Sequence, residues 1–547
     1  MININIKENR FWKKYTGDNT ILWVKGYIYS HTVEEIINIC KDIKKDNISS
    51  FLNSIDGHSA LVIQRDDLTF MAVDKIRSIP LFWIENEDSI SIDSIATNLV
   101  ELLHSKELDK KAELTFSMSA YTTGDNTIYR ELDSLLAGEV LLIDRKSKKI
   151  EKQKYHIYKP WKVLNDSYEN YLDKVTAVTL NIFKKTLKNI GDRQIVIPLS
   201  AGNDSRLVVS CLHHLGAKNI VCFTYGSKDN FESKVSEIIA NKLGYKWYFH
   251  ELTHKEQGSF YKSELFNKFF NFANSYTSIP FFQDINSLKY LKQNGFVDEN
   301  AVFINGNSGD YISGGHIKKS LVEFDKTLSN DEKKELVYSE MFKKHFDLWI
   351  SLKIEDNHEK LKVIMDNQLK YYLHETGFFE NIHGMFEFLE FYNRQSKYVV
   401  SGQRSYEFFD FEWRLPLWDN EYIDFWESVP AKYKYDQKLY VDMLKKNNWG
   451  NVWGDDIPVN KKEISPKWII PIRFMFKIPF GLLGTKGKNL WHQFDISFFQ
   501  YWMDVTHQLD LFSYIEIIRG FSKGGKNLDS YGSKKYLKYI KNGKEVW

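Results

Sequence analysis

The sequence predicts a chain in two parts: an α+β domain, then an α/β domain on a doubly wound parallel sheet that ends in a helix-rich stretch. Three observations carry this. Short β-rich runs crowd residues 1–158, strands and helices alternate from Gln194 to Leu252, and long amphipathic patterns take over from about 330,. A length of 547 residues exceeds what one hydrophobic core usually supports, so more than one domain is expected,.

In the first part, Ile21 to Tyr29, Ser59 to Ile63, Phe70 to Val73, Leu81 to Ile84 and Val140 to Ile143 are β-type runs,. Turn formers such as Asp56-Gly57 and Asp66-Asp67 separate them, and Val33 to Ile43 has helical spacing,. A new regime opens near Trp161. Asp166-Ser167 can cap a helix whose apolar positions Tyr171, Val175, Val178 and Ile182 recur at intervals of four, three and four,. Gln194 to Leu199 then reads as a buried strand, Ser200 to Ser205 as a polar loop, and Leu207 to Leu215 as a helix closed by Gly216. Ile220 to Tyr225, Glu232 to Leu243 and Trp247 to Leu252 repeat the alternation, which implies right-handed crossovers and a ligand site at the carboxyl ends of the strands,.

Composition bounds the function. With 43% hydrophobic and 15% aromatic residues the chain has material for cores, and its 27% charged residues describe a water-facing surface,. A net charge of +2 gives no electrostatic case for a nucleic-acid partner,. Residues 457–547 are a basic exception, with 15 Lys plus Arg against 7 Asp plus Glu. Within them, Lys467 to Lys477 reads first as buried core, with contact to a membrane surface as the alternative,. Cys40, Cys211 and Cys222 have no metal-type spacing and fit a reducing compartment,. The first residues lack a signal-peptide pattern and no apolar run reaches the roughly 18 residues of a membrane span, so a cytoplasmic location is expected,. His213 and His214 are adjacent on a helix and point apart, unlike a metal pair,.

The loop Ser200-Ala-Gly-Asn-Asp-Ser205, between a buried strand and a helix, turns amide N–H groups and a helix N-terminus toward one point and so forms an anion site,. Gly202 lets backbone approach closely, the two serine hydroxyls can donate to phosphate, and Asp204 suits a Mg²⁺ ion,. A simple helix cap would account for one or two of these residues.

Pro198 to Arg206 resembles the S-G-G-x-D-S pyrophosphate loop of the ATP pyrophosphatase superfamily, which includes asparagine synthetase, with Ala201 at the first glycine. Asn305-Gly-Asn-Ser-Gly-Asp-Tyr-Ile-Ser-Gly-Gly-His316 is similar to that family's second signature, S-G-E-G-x-D-E followed by G-G-Y, and Gly306, Asp310, Gly314 and Gly315 match it. Trp413 to Asp419 resembles the R-x-P-F-L-D segment, and Lys438 sits where the family has its active-site lysine.

The resemblance implies a glutaminase-like N-terminal nucleophile-hydrolase domain over 1–158 and a synthetase domain over 159–547, with a basic extension from about 457. It implies ATP and Mg²⁺ as cofactors, Asp204 and Asp310 as metal ligands, and Lys438 as the group that stabilises charge. Leu199, Ser200, Ala201, Gly202, Asn203, Ser205, Phe223, Asn305 and Gly306 are implied around the nucleotide, with adenine against Leu199 and the Cys222-Phe223 strand. The reaction implied is activation of a carboxylate as an acyl-adenylate and its transfer to ammonia or an amine.

Departures refine this. Asn307 and Tyr311 replace two acids of the second signature, which puts aspartate in doubt as substrate,. Ile2 stands where the family's glutaminase has its nucleophilic cysteine, and Lys25 and Tyr27 replace the asparagine and glutamate that grip glutamine, so that site reads as inactive,. The N-G-N-S-G-D form is similar to synthetase-like proteins associated with glycan modification, which makes a uronic acid one candidate substrate. Ammonia-dependent asparagine synthesis and a non-catalytic nucleotide-binding scaffold are the alternatives.

Overall fold

The computed structural model describes residues 1–459, 463–521 and 524–542. Its first region is a layered α+β unit. A six-stranded antiparallel sheet runs in the order Ile150–Lys154, Glu139–Asp144, Leu68–Val73, Gly57–Arg65, Thr20–Ile28, Lys13–Thr16. Alternation along its strands divides the side chains between two cores. Leu61, Ile63, Phe70 and Leu142 meet Ile36, Cys40, Ile48 and Phe51 from the helices Val33–Lys41 and Lys45–Ser54. From the opposite face, Ala60, Val62, Met71 and Leu141 join the core that also takes Ile84, Ile90 and Ile92 of a four-stranded sheet. Helix Val33–Lys41 starts at a capping box, with Glu35 N donating to Thr32 Oγ1 and Thr32 N donating to Glu35 Oε2,.

The long helix Tyr168–Ile190 is capped by Ser167 and buries Tyr171, Val175 and Ile182 as its spacing requires, with Thr179 buried in place of Val178. Beyond it lies a five-stranded, all-parallel sheet in the order Lys246–Glu251, Ile220–Gly226, Ile195–Pro198, Val302–Ile304, Glu412–Arg414. Strand order runs outward one way from Ile195–Pro198 for two strands and then reverses to Val302–Ile304. That reversal is a topological switch point, where the loops after two neighbouring strands part and leave a crevice.

Helices supply most of the remainder. The last, Leu528–Asn542, returns to the first region and stacks Tyr536 on Phe116 of helix Lys110–Ser119 at 4.7 Å. The expectation of buried core at Lys467 to Lys477 is overturned. These residues belong to a helical hairpin, Ile469–Gly481 and Gly484–Met503, in which Phe474 is 68% and Met475 63% exposed. At its foot, Asp510 accepts from Tyr501 OH at 2.5 Å and meets His254 Nδ1 at 3.0 Å. Ser227 N donates to Val505 O at 2.7 Å, fixing the hairpin's base beside the end of strand Ile220–Gly226.

Candidate active site

The two signature loops sit side by side at the switch point. Ser200–Gly202 follows strand Ile195–Pro198 and leads into helix Asn203–His214, while Asn305–Ser308 follows strand Val302–Ile304. Their contact requires glycine. A Cβ on Gly306 would lie 2.7 Å from Ser205 N, and one on Gly309 would lie 2.6 Å from Asp204 Oδ1. Without side chains there, Asp310 N donates to Asp204 Oδ2 at 2.9 Å, which brings together the two aspartates that the family resemblance implied.

Their surroundings make them unlike. Asp204 takes a second bond from Tyr440 OH at 3.0 Å, but burial and then the Asp310 charge push its carboxyl up to about 7,. Asp310 is about half exposed, and partial burial opposes its ionisation. A hydrogen bond from His316 Nε2 at 3.2 Å outweighs that and holds Asp310 below the usual carboxylate range. His316 in turn bonds the fully buried Glu390 through Nδ1 at 2.5 Å. Burial lowers the imidazole's basicity, yet the Glu390 charge leaves it raised overall. Two hard carboxylates that repel one another and face a cleft are the donor set a Mg²⁺ ion fits.

The loop itself is tightly tied. Ser200 N donates to Ser205 Oγ at 3.0 Å, the two hydroxyls lie 2.9 Å apart, and Gly202 N donates to Ser200 Oγ at 3.2 Å. Ala201 N donates to Glu232 Oε2 at 2.5 Å. Arg206, fully buried, donates to the Ala201 carbonyl at 3.0 Å and also to the Val452, Ile457 and Pro458 carbonyls, which anchors the loop to the start of the C-terminal extension.

A cleft of about 300 Å³ opens over these groups. Ser200, Gly202, Asn203, Asp204, Ser205, Asn305, Gly306 and Asp310 line it. Leu199, Ala201 and Phe223 do not. All three are buried, and the rings facing the cleft are Tyr225, Phe281 and Tyr406. Lys438 is exposed, with its ammonium 4.9 Å from the Tyr168 ring centre, and Gln437 lines the cleft in its place. Sequence reasoning also missed Asp284. This residue is 6% exposed, its carboxyl is pushed up to about 6 by burial, and Oδ1 has no hydrogen-bond partner among the described residues. The one available signal was an acid placed directly before the amphipathic helix Ile285–Gln293.

Lys25 and Tyr27, read from the sequence as replacements for a glutamine-gripping pair, hold the two parts together. Lys25 Nζ donates to Glu407 Oε2 at 2.8 Å, and Glu407 also accepts from Arg404 and Trp413. Tyr27 OH accepts from Leu415 N at 3.1 Å and contacts His58.

Residues 184–447 match the family model described as asparagine synthase, a span that contains all five parallel strands and both loops. No curated protein matches the sequence. Among solved structures, the chain is similar to glutamine phosphoribosylpyrophosphate amidotransferase from B. subtilis complexed with ADP and GMP. That match has 12% identity over 44% of this chain and 73% of that one, at a TM-score of 0.20. A structure of the allosteric regulatory enzyme of purine biosynthesis is similar at 10% identity over 43% of this chain and 61% of that one, at a TM-score of 0.19. Residues 184–447, just under half of the chain, thus carry an asparagine synthase-type domain.

Proposed function

We propose that the protein is an ATP-dependent synthetase that activates a carboxylate as an acyl-adenylate and transfers the acyl group to ammonia or an amine. One observation carries the reading: Asp310 N donates to Asp204 Oδ2 at 2.9 Å and both residues line one cleft, beside a helix N-terminus, at the switch point of a parallel sheet,. In the first step a carboxylate oxygen bonds to the α-phosphorus while the bond to the β-phosphate oxygen breaks and pyrophosphate leaves. Nitrogen then attacks the acyl carbon, AMP departs and the nitrogen gives up a proton.

The Ser200–Ser205 loop would hold pyrophosphate through its amides and hydroxyls. Asp204 and Asp310 would hold Mg²⁺, which neutralises charge on the departing phosphates. Tyr440 and His316 fix the two carboxylates in place. Lys438, exposed on a flexible stem, would leave Tyr168 and stabilise charge when nucleotide is bound,. A base of the usual kind is missing at Asn307, which lines the cleft. The Asp284 carboxyl, whose Oδ1 has no hydrogen-bond partner among the described residues, supports an amine nucleophile, because a buried acid that accepts one more hydrogen bond suits an N–H donor,. A uronic acid remains a candidate for the carboxylate. We also infer that the first domain has lost glutamine hydrolysis, since Lys25 and Tyr27 are engaged in the interface.

The test is a screen of carboxylates, uronic acids and aspartate among them, for substrate-dependent pyrophosphate release from Mg-ATP, with ammonium, small amines or glutamine. Release with one acid, abolished in D204N and D310N and not supported by glutamine, is expected. Turnover of aspartate with ammonium would identify an asparagine synthase. ATP binding and turnover unchanged in D204A would instead point to a non-catalytic scaffold.

A further inference from the structure

Residues 464–515 are under a tenth of the chain but carry thirteen of the twenty-three large hydrophobic side chains that are exposed among the described residues. Most lie on the hairpin Ile469–Gly481 and Gly484–Met503. Its two helices pack through Phe476, Phe480, Trp491 and Phe494, with ring centres 5.4 to 6.0 Å apart. That contact uses one side of the first helix, and Phe474, Met475 and Ile478 on the rest of it face water. The turn is apolar as well. Gly481-Leu-Leu-Gly484 places Leu482 at 85% and Leu483 at 57% exposure, where a turn over water would carry polar residues,. Isolated soluble proteins rarely leave an apolar face of this extent uncovered.

The charges around it identify the cover. From Ile464 to Met503 the chain has Lys467, Arg473, Lys477, Lys486 and Lys488 against one acid, Asp495, which Arg473 grips at 2.6 and 2.7 Å. A second copy of this face would bring like charges together. A bilayer with anionic headgroups accepts both the apolar residues and the lysines, whose stems reach upward from buried carbons. Trp468, directly before the hairpin, and Trp502 on it are exposed and suit the depth of the headgroups,. No helix of the described residues is long and apolar enough to cross a membrane. The 13-residue first helix would span only about 20 Å of a hydrocarbon core about 30 Å thick,.

We propose that the hairpin Ile469–Met503 is a monotopic anchor that sinks the Leu482–Leu483 tip into the surface of a membrane containing anionic lipid. This is independent of the reading of the ATP site. The test is co-sedimentation of the full chain with phosphatidylcholine vesicles and with phosphatidylcholine–phosphatidylglycerol vesicles. Binding to the mixed vesicles is expected, at least about tenfold tighter than to the neutral ones. L482E/L483E should lose about tenfold or more, with an unchanged circular dichroism spectrum. K486E/K488E, which leaves the apolar tip intact, should abolish the preference for anionic lipid. Protein that stays in the supernatant with both vesicle types overturns the proposal, and so does binding that neither variant changes. A dimer that L482E/L483E dissociates, without vesicle binding, assigns the face to a second copy and also overturns it.

Discussion

At the scale of single residues, the site depends on two carboxylates held in different states. D204N preserves shape: its amide oxygen can accept from Asp310 N while its NH2 donates to the Tyr440 hydroxyl, so the fold should survive,. Loss of the charge should lower pyrophosphate release by roughly 10² to 10³ or more, read in the coupled assay. Buried Lys397 makes a different prediction. Its ammonium donates to backbone oxygens of Thr122 and Gly124, and burial, followed by the nearby Arg77 charge, lowers its pKa to about 7. Above about pH 7 the unfolded chain therefore binds a proton there that the folded chain does not, so this group makes stability rise toward about pH 10. Denaturation of wild type and K397M at about pH 7 and about pH 9 should differ in slope by roughly 2 kcal/mol, with the variant flatter. Asp204 and the loop serines were legible because their chemistry resides in one short loop, whereas Asp310 was carried by the resemblance of its segment to the family's second signature. Glu232, Tyr440 and Glu390 were not, since their roles arise from contacts distant in sequence. His316 stood inside a recognised signature, and its only signal was the replacement of a tyrosine.

At the scale of elements, caps and periodicity were informative and strand order was not. Thr32 with Glu35, and Ser167 before Tyr171, fix helix starts through local hydrogen bonds that the sequence displays,. Strands Val302–Ile304 and Glu412–Arg414 are three residues each, too short for any period, yet one of them creates the switch point. Strand Ile220–Gly226 is buried on both faces, so its pattern could not tell that Tyr225 meets the cleft and Phe223 the core,. The apolar run after Lys467 looked like core because composition does not state what covers a helix. One element contact is testable through Arg206, which satisfies four carbonyls between the loop and the chain near Pro458. R206M fills the space and strands those acceptors. It should cost about 2 to 4 kcal/mol by chemical denaturation, and should raise the Kd for ATP because Ala201 loses a support.

For the whole molecule, what matters is how the first domain is used. Lys25, Glu407, Arg404 and Trp413 form a buried network exactly across the two parts, and a second link joins Lys185 to Asp56 and Asp419. Burial lowers the Lys25 pKa to about 8 despite Glu407, so the pair is held by geometry and stabilises the interface only as long as both partners remain,. K25M should therefore destabilise the protein by about 3 kcal/mol, by leaving the buried Glu407 carboxylate with Arg404 as its one remaining cation,. Adding E407M to K25M should not restore stability, because Arg404 then becomes the unpaired buried charge. If the first domain serves as support, K25M should separate denaturation into two transitions, followed by far-ultraviolet circular dichroism and by pyrophosphate release, and glutamine should remain inert as a nitrogen source. A single unshifted transition would mean that the two parts are joined by other contacts and that the network is incidental.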